Sequence, residues 1–448
     1  MASKAIDKEI ASTMEGLIEY ARRRGADEIE VFVGEGSELG IDVRRGRIEN
    51  LVRAGSRSLS FRLIRDKRTA SASSSKLDSE TLRRLVDHAL ERAVLTNPDE
   101  FAGLPEPCDA SMVKEPLNLY DPEIEDLTPE TGIDLAIRTE KHALSDPRIT
   151  NSHGASFENR KIITHLANSH GFTGSFRESF FHLSIGLQAG GTDDRVEDSW
   201  SSSQRHFRDL ESPEEVADRA VERTVRHLNP RKITTRSAPV IFEPEMTAWV
   251  MGFLFSCISG TAVYNRATFL ADKLGEKIGC EGLMVLDDGR RPGLPGSAPF
   301  DSEGVPTRKT TVVKAGRLTS FLCDTYSGRK LQLESTGNAS GTGVGPTNFF
   351  LAAGSIRPSD ILRTLDRGLI LTRVLGHGMN PVTGDFSRGA FGLWVEKGKV
   401  IHSVSEITIS GNLGSLLMDI EEIGNDLEFR EQISGPTIKV GGIQIAGR

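Results

Sequence analysis

Residues 246–265 read MTAWVMGFLFSCISGTAVYN, twenty positions without a charge in a chain that is 26% charged. A membrane span needs about 20 predominantly apolar residues. Here Thr247, Gly252, Ser256, Ser259, Gly260, Thr261 and Asn265 interrupt the run, and acids (Glu243 and Glu245) rather than a basic cluster flank its start. The stretch therefore reads as one buried helix and not as a crossing. Pro244 suits its first turn, and Glu245 falls where the positive end of a helix dipole favours an acid.

A helix apolar on all sides needs a shell, and the flanking sequence supplies strands. Downstream, LMVLDD, TRKTTVVKAGRLTSFLCD and GLWVEKGKVIHSVSEITISGN read as strands with AG and KG as hairpin turns. Residues 236–448 are expected to form a large, mostly antiparallel β domain around the helix. Upstream, Ile10, Met14, Leu17, Ile18 and Ala21 share one face of a first helix that Gly25 ends. EIEVFV alternates as a half-buried strand, and GIDVRRGRIENLV reads as a hairpin turning at Arg45–Gly46. SLSFRLI and TASASSS add strands around RDKR, and Asp78 caps a second helix. Residues 1–105 thus read as an α+β unit of antiparallel strands flanked by helices.

Between these lies a segment, 106–235, that opens as a linker rich in proline and acid within FAGLPEPCDASMVKEPLNLYDPEIEDLTP. Thr128–Pro129 starts a helix expected to run to about Leu144, and KIITHLANS and FFHLSIGLQAG read as strands. SPEE at 212–215 is a capping box opening a helix to about His227. The fold class is α+β throughout.

Composition sets limits on function. A chain of 448 residues is long enough for two or three domains, and 45 glycines point to many turns. A net charge of −8 argues against a nucleic-acid-coating surface. Cys108, Cys257, Cys280 and Cys323 stand far apart with no CxxC spacing, the pattern of reduced thiols. The charged N-terminus lacks the apolar core of a signal peptide, so the expected address is the cytoplasm, away from any membrane.

No GxxxxGK[ST], GxSxG or HExxH occurs. NSHG appears at 151–154 and 168–171, so His153 and His170 could pair on a metal; two similar strand-end turns is the reading preferred, since no carboxylate stands nearby. Cys257, inside the apolar helix, and Cys323 read as inert packing, because burial raises a thiol's pKa. Three loops stand out: SAPFDSEGVP (297–306), ESTGNASG (334–341) and GHGMNPVTGDFSRGA (376–390). Each can be a set of tight turns, or backbone amides and polar side chains gathered for a ligand.

VIFEPEMTAWVMGFLFSCISG, SAPFDSEGVPT, LCDTYSGRKL, STGNASG, NPVTGDFSRGAFGLWVEKGKV, EITISGNL and IGNDLEFR, in that order, resemble the C-terminal motifs of the TldD/PmbA family, more closely its PmbA (TldE) branch. ARRRGADEIEVFV, RGRIEN and FAGLPEP fit its N-terminal part. The resemblance implies a cytoplasmic dimerising protein, one half of a heterodimeric metallopeptidase, in a family also named for modulation of DNA gyrase. In the TldD branch the helix equivalent to 246–265 carries HExxxH, and two His with a later Cys hold the metal. Anchored on Gly260, those positions fall here on Met251, Gly252 and Ser256, and no cysteine follows Cys323. Met is a soft, weak ligand, Gly has no side chain, and Ser is a poor zinc ligand.

The leading expectation is a subunit that holds no cofactor of its own, with zinc and the general base supplied by a TldD-like homologue. An unfolded peptide, added as a strand to a sheet edge, would be the substrate. Asn338, Asn380 and Arg388 are the candidate substrate contacts. The partner would be that homologue or a second copy of this chain. Two alternatives stay open: a non-proteolytic regulator of DNA gyrase, and a self-sufficient hydrolase using His377 with Asp385.

Overall fold

The computed structural model describes residues 2–107, 116–191, 195–341 and 343–447, excepting the side chains of 2–7. Cys108 lies outside the described residues. In chain order the N-terminal half runs α1 (Ala2–Arg23), β1 (Glu28–Arg44), β2 (Arg47–Arg65), β3 (Arg68–Ser74), α2 (Ser79–Val94), α3 (Pro129–Ala143), β4 (Ile149–Asn168), β5 (Thr173–Ala189), β6 (Val196–Gln204) and α4 (Pro213–Val225).

These six strands form one antiparallel sheet in the order β3-β2-β1-β4-β5-β6. β1 pairs with β4 from Glu30–Asn168 to Val43–Ala155, so residues 1–105 and 106–235, separate units in sequence, supply one layer in space. EIEVFV and GIDVR, read apart, join through Gly34–Gly40 as a single strand because β2 and β4 pair along both sides of that polar stretch.

Alternation decides which face is covered. Ile29, Val31, Val33, Leu39, Ile41 and Val43 are all buried on one side of β1. The first three pack under α1 and α2, the last three under α3 and α4. Each such side chain contributes roughly 1.5–3 kcal/mol on leaving water. The opposite side carries Glu30, Phe32, Gly34, Gly36, Glu38, Gly40 and Asp42 and is bare of helices. Turns sit where the sequence places them: Arg45–Gly46 between β1 and β2, and Asp66–Lys67 between β2 and β3, all at positive φ. The Asp78 side chain accepts from Thr81 N, and Ser212 with Glu215 closes the capping box of α4. The second NSHG is the β4–β5 turn, with Gly171 at φ 90. The first is not a strand-end turn: it lies inside β4 at a register shift that Gly154, at φ 113, permits.

The C-terminal half continues β7 (Arg236–Phe242), α5 (Pro244–Ile258), α6 (Gly260–Tyr264), β8 (Val285–Asp288), β9 (Lys309–Lys314), β10 (Arg317–Leu318), α7 (Thr325–Leu331), β11 (Ala339–Ser340), β12 (Gly343–Val344), β13 (Phe349–Leu351), α8 (Pro358–Thr364), β14 (Arg367–Leu375), β15 (Asp385–Glu396), β16 (Lys399–Asn412), α9 (Leu413–Met418), β17 (Ile420–Ile423), β18 (Ile433–Ser434) and β19 (Ile438–Ala446). One sheet runs β16-β15-β14-β7-β19-β17, and an extra β16–β19 pairing wraps it round on itself. A second runs β10-β9-β8-β13-β18. Pairing is antiparallel except β7 with β14 and β13 with β18.

The apolar stretch fills the core between these sheets: Val250, Met251, Phe253, Leu254, Cys257 and Ile258 are at most 1% exposed. It is two helices and not one. Ser259 leaves helical geometry (φ −63, ψ 135), its hydroxyl accepts from Ala262 N, and Gly260 N donates to Leu322 O at 2.7 Å. A Cβ on Gly260 would meet Ser327 Oγ at 2.5 Å, so the chain turns where only glycine fits against α7. No helix is long and apolar enough to cross a membrane.

Candidate functional site: a chamber under the bare face

The bare face of the N-terminal sheet looks toward the C-terminal half, and two large cavities lie between them. One, of about 930 Å³, is bounded by Glu38, Glu158, Arg160, Phe180 and His182 on the sheet and Arg430 opposite. The other, of about 950 Å³, is bounded by Glu30, Arg62, Asp99, Tyr264, Glu303 and Tyr326.

The two halves are pinned at both ends of the chamber. At one end the Arg62 guanidinium donates to Glu30 at 2.6 Å and reaches Glu303 at 3.4 Å, while Glu303 also accepts from Thr325 N. Burial raises the Glu30 carboxyl against the pull of Arg62. At the other end Arg430 lies over the Trp200 ring at 3.6 Å, donates to Glu245 at 2.7 Å and donates to Ser201 O at 2.6 Å. Arg219 and Arg223 share that indole, whose Nε1 donates to Glu211. A half-buried cation among carboxylates and an aromatic face is a favourable, geometrically demanding contact.

The 297–306 and 334–341 loops come together between these pins. Asp301 accepts from Glu303 N, Val305 N and Ala339 N, all at 2.9–3.0 Å. Asp287 accepts from Asn338 Nδ2, Thr347 N and Thr347 Oγ1. Burial, with Glu303 close by, pushes Asp301 up to about 7, and burial pushes Asp287 up to about 6. Asn338 lines a smaller cavity of about 230 Å³, with its amide committed to Asp287 and Gly345 O.

Asn380 and Arg388 are placed elsewhere, Asn380 on the loop between β14 and β15 and Arg388 near the start of β15. The exposed Asn380 accepts from Val382 N, closing a turn. Arg388 donates to Leu375 O and lies 5.6 Å from the Trp249 ring. Neither lines the cavities that Asn338 and the bare face enclose. Asp385 is held by Asn412, not by His377. His153 lies beside Glu197 while His170 donates to Pro105 O, so the two NSHG histidines serve different contacts. The thiols of Cys257 and Cys323 are pushed up to about 11 by burial, which suits packing.

Met251, Gly252 and Ser256 lie on α5. Met251 is fully buried in the apolar core; a Cβ on Gly252 would touch Ile433 at 3.8 Å; the Ser256 hydroxyl donates back to Phe253 O at 2.7 Å. A thioether, a hydrogen and an occupied hydroxyl do not fit a zinc ion. Among the described residues no three His, Cys, Asp or Glu side chains gather as a metal set.

Sequence reasoning passed over the chamber's own polar row. Glu158 on β4, His182 on β5 and Ser203 on β6 are lateral neighbours, His182 Nδ1 lying 2.7 Å from Ser203 Oγ. Burial lowers His182, Glu158 partly opposing it. The signal was present in the alternation: every second residue of these strands faces the cavity, and polar residues there had no other reason to break a buried pattern.

Comparison with known proteins agrees with this architecture. Residues 29–93, 122–228 and 235–447 match, in order, domain 1, the central domain and the C-terminal domain of the PmbA/TldA metallopeptidases. The chain is 35% identical to Metalloprotease PmbA of Escherichia coli O157:H7, covering 100% of this chain and 97% of that one, and 34% identical to the PmbA homolog of Haemophilus influenzae over 99% and 97%. Among solved structures it resembles TldE from Thermococcus kodakarensis (TM-score 0.87, 25% identity, 97% and 100% covered). A Bacteroides thetaiotaomicron protein whose name links it to DNA gyrase modulation superposes with TM-score 0.91 at 25% identity, over 98% and 99%. With all three domains matched and similarity running end to end, this chain belongs to the PmbA/TldD metallopeptidase family.

Proposed function

We propose that this chain is the metal-free subunit of a two-chain peptidase acting on unfolded peptides in the cytoplasm. The observation that carries the reading is the state of α5: Met251 is packed in core, Gly252 abuts Ile433 and Ser256 is bonded to its own helix, leaving no donor set for the metal that the family name implies. A bound zinc ion would lower the pKa of water and furnish a nucleophile; in this reading a TldD-like partner supplies that ion, its ligands and the general base.

This chain's part is to enclose and orient. The cavity over β4–β6 admits an extended segment and not a folded domain, and its lining of Glu158, Arg160, His182 and Arg430 offers polar groups to a peptide's main chain. Asn338 acts by holding the 334–347 loop through Asp287, whereas Asn380 and Arg388 would contact substrate only where it enters or leaves.

The test is reconstitution. Elemental analysis of the purified chain should find well under one zinc per chain. Peptide hydrolysis should appear only on mixing with a metal-bearing homologue and should vanish with a chelator. Hydrolysis by the isolated chain would sink the reading.

A further inference from the structure

The bare face of the N-terminal sheet is polar along most of its length, but one patch of it is not. Phe32 is the only large apolar side chain that β1 turns to that face. Leu166 on β4 stands directly opposite it, and Phe176 on β5 stands opposite Thr164. Two glycines keep the space between these side chains open. A Cβ on Gly34 would meet the Phe32 ring at 3.3 Å, and one on Gly174 would meet the Phe300 ring at 2.6 Å. Phe300, from the 297–306 loop, comes down over Gly174 and stands edge-on to both Phe172 and Phe176, with ring centroids 5.2 and 5.3 Å apart. Leu166 and these four rings form an apolar cluster of their own, apart from the cores of the two halves.

Phe32, Phe176 and Phe300 wall the cavity of about 230 Å³ that Asn338 also lines, with Ala298 and Ala339 across from the sheet. Its polar neighbours are already engaged. Asp301 takes three N–H donors, Asn338 gives its amide to Asp287 and Gly345 O, and Thr307 donates to Ala298 O. The Ser302 hydroxyl, by contrast, is buried and has no hydrogen-bond partner among the described residues, and Ser302 lines this cavity. An apolar cavity of about 150 Å³ takes up benzene, so this one has room for a phenyl or phenol ring. It shares Pro346 and Gln432 with the cavity over β4–β6, and Leu166, Ser302 and Ala339 with the cavity beside Tyr326, and so lies between the two.

From this pocket we infer that the chain selects peptides by an aromatic side chain: a phenylalanine or tyrosine of the extended substrate enters between Phe32, Phe176 and Phe300 while its main chain runs along the chamber. The inference rests on the peptidase reading only in placing a peptide there. Successive side chains of an extended chain point to opposite sides, so a strand crossing the mouth presents one residue to the pocket and turns its neighbours away. Rings meeting edge to face gain beyond the area they bury, which favours an aromatic over an aliphatic occupant of equal size. Ser302 gives a tyrosine hydroxyl a place to bond, so tyrosine is taken as readily as phenylalanine. A glutamate would bring its charge among rings and beside Asp301, and is excluded.

The test is calorimetric titration of the full chain with a Gly/Ser peptide carrying one Phe, and with the same peptide carrying Tyr, Ala or Glu at that position. The Phe and Tyr peptides should bind about tenfold or more tighter than the Ala peptide, and the Glu peptide no better than Ala. Thr164→Trp sets an indole at the pocket from the sheet side and should bring the Phe-to-Ala ratio to about one. Phe176→Ala removes one ring of the wall at a half-buried position and should lower that ratio about threefold or more. It keeps the test open if the indole unsettles the fold, which circular dichroism reports. Equal affinity for Phe and Ala, a ratio unmoved by both variants, or no binding of any of the four peptides overturns the inference. Failure of the peptidase reading looks different. A Phe preference that Thr164→Trp abolishes, with no hydrolysis in any mixture, leaves the pocket standing and removes that reading. Hydrolysis of the Phe and Ala peptides at equal rates, with no preference in binding, removes the pocket and leaves that reading intact.

Discussion

Two residues show how closely the chamber is built. Asp301 sits near 7 in the fold against an ordinary 3.8, because burial outweighs its three N–H donors. A carboxyl raised in this way adds stability that is complete below the unfolded value and is lost as pH climbs through the folded one. Glu30 and Asp287 act in the same sense. The melting temperature is therefore expected to fall between about pH 4 and pH 7, and Asp301→Asn should flatten part of that slope. Thermal scans across the range decide it; a melting temperature that climbs with pH, or an unchanged slope in Asp301→Asn, would contradict the account. Gly260 is the second case. Its missing side chain makes room for Ser327 and Cys323, so Gly260→Ala should cost about 1–3 kcal/mol by denaturant unfolding, as overpacked sites do. A neutral outcome would mean that the α6–α7 contact yields easily.

The elements differ in how far local sequence specifies them. Asp78 accepting from Thr81 N is a cap of the ordinary kind, and Asp78→Ala should destabilise by about 1 kcal/mol with the fold unchanged. Caps and turns of this sort were legible: Asp78, Ser212–Glu215, Arg45–Gly46, Ala315–Gly316 and Lys397–Gly398 all sit where residue chemistry alone places them. The apolar stretch was legible as buried but not as broken, since the break at Ser259 depends on Leu322, Cys323 and Ser327, more than sixty residues away. The joining of β1 and β4 into one sheet was hidden for the same reason, as pairing across a long separation leaves no local periodicity. At the site, the loops 297–306 and 334–341 were recognised by composition. The Glu158–His182–Ser203 row was not, because three single polar residues on separate strands become neighbours only when the strands pair.

At the scale of the whole molecule, the two halves meet through a broad seam that includes Tyr326 with Asp99, Arg226 with Glu243 and Phe172 with Phe300, and Arg430 gathers three contacts at one end of it. Arg430→Ala removes contacts to Glu245, Ser201 O and Trp200 together, leaving Glu245 with Arg223. The expected loss is about 1.5–3 kcal/mol, with faster proteolysis between residues 204 and 236 as the halves part. Unaltered stability and cleavage would place the joint elsewhere. The stack on Trp200 has a spectroscopic consequence. The chain has three tryptophans, Trp200, Trp249 and Trp394, so replacing the latter two with phenylalanine leaves a lone fluorophore at the seam. Guanidinium groups crowd that indole from three directions, and any opening of the chamber would strip one of them away. Emission colour and lifetime would then report, in real time and without labels, when a guest enters.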